Sequence, residues 1–418
     1  MFSSYIKTNL TNAKNYLKAF LYWLSLGVSV GVLCGLCGTL FANAISFVTN
    51  VRTSNDWLLF LLPIGGTVSV ILYKLCRVEG YGTNQVFECA RSEKPVPFLL
   101  MPAIFIGSSI THLLGGSAGK EGAALQLGGS ISSIISKLFR LDEKTRHILT
   151  LCGMGALFSA VFGTPIGACV FALEVVRVGN FCSAAFFPTM VSSVTAYAVS
   201  SFLGVPPERF HLSFIPDLTP DALWRICVIA ICGAIASILF CLLLHLGEKI
   251  FHRLFKNPFL RIICGSLIVI ALTLILGTRD YNGSGVHVIH GIFTGEGVKY
   301  EAFLLKMIFT AVTVGCGFKG GEIVPTLFIG ATLGGTVASL LGFDIAFGAA
   351  IGMAALFAGV TNCPIATVFL CTEMFGGDGM LFFAIASVTS FLLSGMTGLY
   401  SEQKFVYSKL NEEYLEYN

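Results

Sequence analysis

The chain has 418 residues, 55% hydrophobic and 12% charged, with a net charge of +3 and a mean hydropathy of +0.81. A soluble globular domain carries about a quarter charged residues, so this composition excludes one. The small net charge gives no ground for nucleic-acid binding. The composition predicts an all-α polytopic membrane protein.

From the N-terminus, "MFSSYIKTNLTNAKNYLKAF" is amphipathic, and its charges are Lys7, Lys14 and Lys18 with no acid. The apolar span that follows, 20–48, is too long for a signal-peptide core, so no cleaved leader is expected. The three lysines predict a cytoplasmic N-terminus in the cell membrane. Charge-free windows follow between Lys18 and Arg52, Asp56 and Lys74, Lys94 and Lys120, and Arg225 and Glu248. They match the roughly 20 apolar residues that cross a bilayer core. Other windows are shorter or broken by Gly and Pro. Irregular backbone at membrane depth survives only inside protein or beside a water-filled cavity, so a bundle with broken helices is expected. "GVPPERFHLSFIPDLTPDALW" (Gly204 to Trp224) reads as a polar linker over 205–222, dividing half-repeats at 1–204 and 223–418. The tail "SEQKFVYSKLNEEYLEYN" is short and polar, and no appended regulatory domain is expected.

The halves repeat. "GMGALFSAVFGTPIGACVFALEVVR" from Gly153 aligns with "GMAALFAGVTNCPIATVFLCTEMFG" from Gly352, 199 residues on. "GKEGAALQLGG" from Gly119 lies over "GGEIVPTLFIG" from Gly320, and "GYGTNQVF" from Gly80 over "GSGVHVIH" from Gly283, at offsets of 201 and 203. Three motifs in order at near-constant spacing indicate a duplicated half. In transporters such halves often pack around a midplane site built from helix ends.

Each motif sets glycines at a helix start: Gly80 and Gly82, Gly119 and Gly122, Gly320 and Gly321. Glycine admits close backbone approach, and a helix N-terminus presents unpaired N–H groups and partial positive charge to an anion. Converging termini would hold an anion without a fixed cation, weakly enough for release. Glu121 stands in one such motif. Its carboxylate would compete with the anion for those N–H groups until a proton neutralised it, so one side chain would couple proton and anion movement. An intramembrane acid is a functional candidate by default. The structural alternative is a salt bridge, but neighbours on a helix do not face each other, which argues against Lys120 as the partner. Glu322 is its repeat-mate. Glu174 and Glu373 end their spans and read as capped or interfacial carboxylates. His112, His147 and His245 are isolated, without ligand-like spacing. The 14 cysteines, "CGLC" at Cys34 to Cys37 included, read as small packing residues. No metal or cofactor is expected.

These motifs resemble the CLC family of anion channels and anion/proton antiporters. "GKEGA" is similar to its "G-K/R-E-G-P" motif, with Ala123 in place of proline. "GYGTN" lies where the family has "GSGIP", "GEIVP" where it has "GxFxP", and "GLYS" at Gly398 matches the segment with its anion-coordinating tyrosine, here Tyr400. The resemblance implies an inverted-repeat fold of about eighteen helical segments, many not spanning, and a homodimer with one pore per subunit. It implies Glu121 as gating and proton-carrying acid. It implies anion-binding positions at Gly80, Tyr81, Gly82, Thr83, Lys120, Gly122, Ile323, Val324 and Tyr400.

The departures point to a branch. Tyr81 replaces the serine of chloride-type members, Ile323 replaces the phenylalanine of "GxFxP", and Val175 follows Glu174 where chloride/proton exchangers carry an internal proton glutamate. "GFKGGE" (Gly317 to Glu322) resembles the fluoride-exporting bacterial branch. That implies fluoride/proton antiport with Glu322 as a second proton-linked acid. Tyr81 and Val324 depart from that branch, which has methionine or asparagine and often threonine there. The alternative is a chloride-selective channel or exchanger on the same fold. A membrane enzyme or redox protein lacks any paired ligands or nucleophile constellation, and an enzyme is not expected.

Overall fold

A computed structural model describes the backbone of residues 2–415 apart from 93 and 412, with side chains from residue 13 onward. The side chain of Lys7 therefore lies outside the described residues. The first half comprises α1 (Phe2–Ser54), a 3-10 turn (Asp56–Leu61) running into α2 (Leu62–Leu75), α3 (Thr83–Ser92), α4 (Leu100–Leu114), α5 (Glu121–Leu138), α6 (Glu143–Phe162), α7 (Pro165–Glu174) and α8 (Ser183–Phe202). The second comprises α9 (Pro220–Leu254), α10 (Pro258–Leu276), α11 (Val286–Phe293), α12 (Ala302–Gly315), α13 (Ile323–Leu340), α14 (Ile345–Thr361), α15 (Pro364–Phe375), a short 3-10 turn and α16 (Met380–Leu393). The tail returns to pair Lys404–Phe405 in parallel with Arg177–Val178.

Local chemistry sets many of these boundaries. Proline opens α7, α9, α10 and α15, where its missing N–H is harmless. The Thr219, Asn257 and Asp344 side chains cap α9, α10 and α14. Gly115, Gly163 and Gly277 end α4, α6 and α10 in the left-handed conformation. Among the described residues, six helices are long and apolar enough to cross a membrane. Others, such as α3, α7 and α15, are 10 to 12 residues long and reach only part of the way.

The fold is the inverted repeat that the family resemblance implies. The pairs α5–α6 and α13–α14 form its centre, and each closes on glycine. A Cβ on Gly128 would overlap the Gly153 carbonyl, and one on Gly330 the Gly352 carbonyl, so both seams bring helix backbones into direct contact. Glu174 and Glu373 mark the symmetry. Glu174 accepts from the N–H of Ile365 and Ala366 (3.3 and 2.8 Å) at the start of α15. Glu373 accepts from the N–H of Ile166 and Gly167 (3.0 and 2.8 Å) at the start of α7. Each carboxylate satisfies the orphan donors of the other repeat's helix. Both are capped carboxylates, and Glu174 has its oxygens committed to this role. All fourteen cysteines are free, and no cluster of potential metal ligands occurs among the described residues.

Candidate anion and proton site

After Gly115 the chain crosses to the start of α5, and after Gly317 its repeat-mate crosses to the start of α13. The crossings meet. Gly119 N–H donates to the Gly321 carbonyl (2.6 Å), and Gly321 N–H to the Gly119 carbonyl (2.7 Å), an antiparallel bridge. A Cβ on Gly122 would stand 2.7 Å from the Gly321 Cα. Two helix N-termini are thus held together by backbone alone. The glycines at 122 and 321 are needed for this backbone contact, a different reason from ligand approach. α12 braces the crossing: Thr313 Oγ1 accepts from Ser117 N–H (3.1 Å), and the Thr310 and Ser117 hydroxyls bond at 3.0 Å.

Glu121 opens α5 and is fully buried, and neither carboxylate oxygen reaches a hydrogen-bond partner among the described residues. Lys120 does not pair with it. Its ammonium lies 3.1 Å from Glu208 in the linker between repeats. Glu322 precedes α13, with Oε2 buried and without a hydrogen-bond partner among the described residues. Tyr400 is buried edge-on to Phe87 (4.8 Å between centroids), its hydroxyl likewise without a partner among the described residues. The phenol lies within electrostatic range of both carboxylates.

A cavity of about 410 Å³ approaches this centre from one face. Gly80, Tyr81, Gly82, Thr83, Glu322 and Tyr400 line it together. Glu121, Lys120, Gly122, Ile323 and Val324 stand outside its lining, Glu121 deeper and Lys120 turned to the linker. Ile323 and Val324 bury their side chains in the core, so only their backbone N–H groups are of use to an anion. Gly82 N–H is engaged by Gln85 Oε1 (2.8 Å). Thr83 Oγ1 accepts from Gln126 Nε2 (3.1 Å), tying α3 to α5. Sequence reasoning missed Gln126, and also Lys319, whose ammonium enters the same cavity over the Tyr73 ring (4.3 Å). It missed Lys306 too. A lone lysine in the apolar run "AFLLKMIFTAVTVG" was the available signal.

Fold and site together define a polytopic membrane transporter class, with two helix N-termini meeting at buried acids. The family profile "Voltage gated chloride channel" matches residues 64–395. The chain belongs to that family. It is 33% identical over 398 residues to a chloride/fluoride channel protein of Pseudomonas syringae pv. tomato, covering 93% of this chain and 87% of that one. It is 28% identical over 388 residues to an H+/Cl− exchange transporter of Vibrio vulnificus, covering 84% and 81%. Among solved structures, a CLC-type fluoride/proton antiporter superimposes with a TM-score of 0.89 at 34% identity, over 92% of this chain and 98% of that one.

Proposed function

We propose that the protein exchanges fluoride for protons across the cell membrane, exporting fluoride as protons enter. One observation carries this reading: a fully buried carboxylate, Glu121, stands at the N-terminus of α5 without a hydrogen-bond partner among the described residues. Anions are favoured at such a terminus. An ionised Glu121 and a passing anion compete for the same donors, and protonation ends the competition. Glu322 faces the water-accessible cavity and serves as the second proton-linked acid. Tyr400 donates its hydroxyl to the anion, and the Gly80–Thr83 loop forms the entry.

Fluoride suits this arrangement. It is small and strongly hydrated, so it needs good donors in place of water. It is also the base of a weak acid, and associates with a protonated carboxyl more readily than chloride does. The similarity to the fluoride/proton antiporter over nearly the whole chain, and the acid at Glu322, support fluoride over chloride. The same resemblance supports a homodimer. The lysines at 14 and 18 support a cytoplasmic N-terminus in the cell membrane.

Purified protein in liposomes tests this reading. Expected are fluoride efflux coupled to proton uptake, uphill fluoride movement driven by a proton gradient, and little chloride flux. Chloride flux equal to fluoride flux would overturn fluoride selectivity. Anion flux that no proton gradient drives uphill would overturn antiport in favour of a channel.

A further inference from the structure

The loop Gly283–Gly285 is the repeat-mate of Gly80–Gly82, and its surroundings differ. At Gly80 a Cβ would meet open space, whereas at Gly283 it would strike the Arg52 guanidinium, and at Gly285 it would stand 3.3 Å from Lys306 Nζ. Lys306 is fully buried and donates to the carbonyls of Tyr281 (3.1 Å) and Gly283 (2.7 Å). Two cations are thus clamped on one glycine loop.

Arg52 lines a separate cavity of about 250 Å³ with Asp56, Arg279, Asp280, Asn282 and His287. This cavity and the one at Tyr400 lie at opposite ends of the bundle. Asp56 begins the crossing Asp56–Leu75, a run of 20 residues, and Ser69 and Tyr73 near its far end line the other cavity. Twenty helical residues span about 30 Å. α10 repeats the pattern: Arg261 near its start lines the Tyr400 cavity, and Arg279 beyond its end lines this one. Between the two levels Ser117, four residues before Glu121, is braced on α12.

The charges do not balance here. Arg279 pairs with Asp56 (2.7 Å), and Lys299 (2.7 Å) and His287 (3.6 Å) pair with Asp280. Arg52 and Lys306 have no carboxylate partner among the described residues, and Arg52 Nη1 is buried with no hydrogen bond. Buried like charges without a counter-ion are expensive, and an anion held beside Arg52 would supply the one it lacks.

We propose that this cavity is an anion site at the second mouth of the pathway, with Arg52 the ligand and Lys306 packed behind it on the same glycine loop. It takes a small monovalent inorganic anion, fluoride in the transport cycle, and so rests on the anion-transport reading above.

Crystals of the full-length protein soaked in bromide, with anomalous scattering, test the site directly. Expected is a bromide peak beside the Arg52 guanidinium in the unaltered protein and none in Arg52→Gln. In liposomes Arg52→Gln should raise the KM for fluoride about tenfold, the loss of one charge-assisted hydrogen bond, with kcat maintained and Arg52→Lys recovering part of the affinity. A bromide peak near Tyr400 and none at Arg52, with KM unchanged in Arg52→Gln, overturns the site and leaves the transport reading standing. Bromide at Arg52 in a protein that moves no fluoride against protons upholds the site and sinks the transport reading. The soaked unaltered protein decides the matter even if Arg52→Gln fails to fold.

Discussion

The two repeats share a backbone and divide the chemistry. α5 and α13 are both 18 residues long, begin after a glycine crossing, and carry a glutamate at the crossing. Glu121 is buried beyond the cavity, whereas Glu322 lines it. The preceding glycine loops diverge more: Gly80–Gly82 opens onto a water-accessible cavity, and Gly283–Gly285 is packed by Arg52, Lys306 and Phe328. Duplication fixes where helix ends meet, because that depends on glycine contacts that tolerate no Cβ. It leaves side chains free to specialise, so one acid is buried and its mate meets the cavity.

This contrast is open to attack by substitution. The largest effect is expected for Glu121→Gln, which should abolish proton-coupled fluoride flux in liposomes by about a hundredfold or more, the scale of losing a proton-transferring side chain. Glu322→Gln should reduce coupling by roughly tenfold, as one interaction worth about 1.4 kcal/mol, and a coupling ratio equal to that of the unaltered protein would assign Glu322 to structure. Gly122→Ala presses on the Gly321 backbone, which cannot move aside, and should destabilise the protein by about 1–3 kcal/mol, read as a lower melting temperature in detergent. Gly80→Ala has space but a φ of +79°, so its cost is backbone strain alone, about 1–2 kcal/mol. Smallest is Glu373→Gln, which keeps an acceptor for α7 while losing charge. It should cost about 1 kcal/mol of thermal stability and leave the fluoride-to-proton ratio intact. A changed ratio would move that residue into the proton path.

Much of the fold was legible beforehand. Charge-free windows marked spans, and the repeated glycine motifs marked the duplication, because both are one-dimensional patterns with a direct physical cause. The candidate site was legible in part. Glu121, Glu322 and Tyr400 stood out as polar groups in apolar or glycine-rich company, and the structure brings Glu322 and Tyr400 to one cavity with Glu121 behind it. Lys120 was assigned as an anion-binding position by its place in the "GKEGA" motif. Its long side chain instead reaches Glu208, 88 residues away, a contact no local spacing announces. Ile323 and Val324 were assigned by motif position, yet their side chains belong to the core.

Sequence alone determined the membrane class, the internal repeat, the breaks in the helices and the acids worth testing. These follow from hydropathy, from glycine's missing Cβ and from the penalty on intramembrane charge. Tertiary structure decided which donors are already occupied, which acid meets water, and which cations lack a counter-ion. Those properties belong to pairs of residues far apart in the chain. Glu174 with the start of α15, Glu373 with the start of α7, and Arg52 against Gly283 meet only when the two halves close on each other.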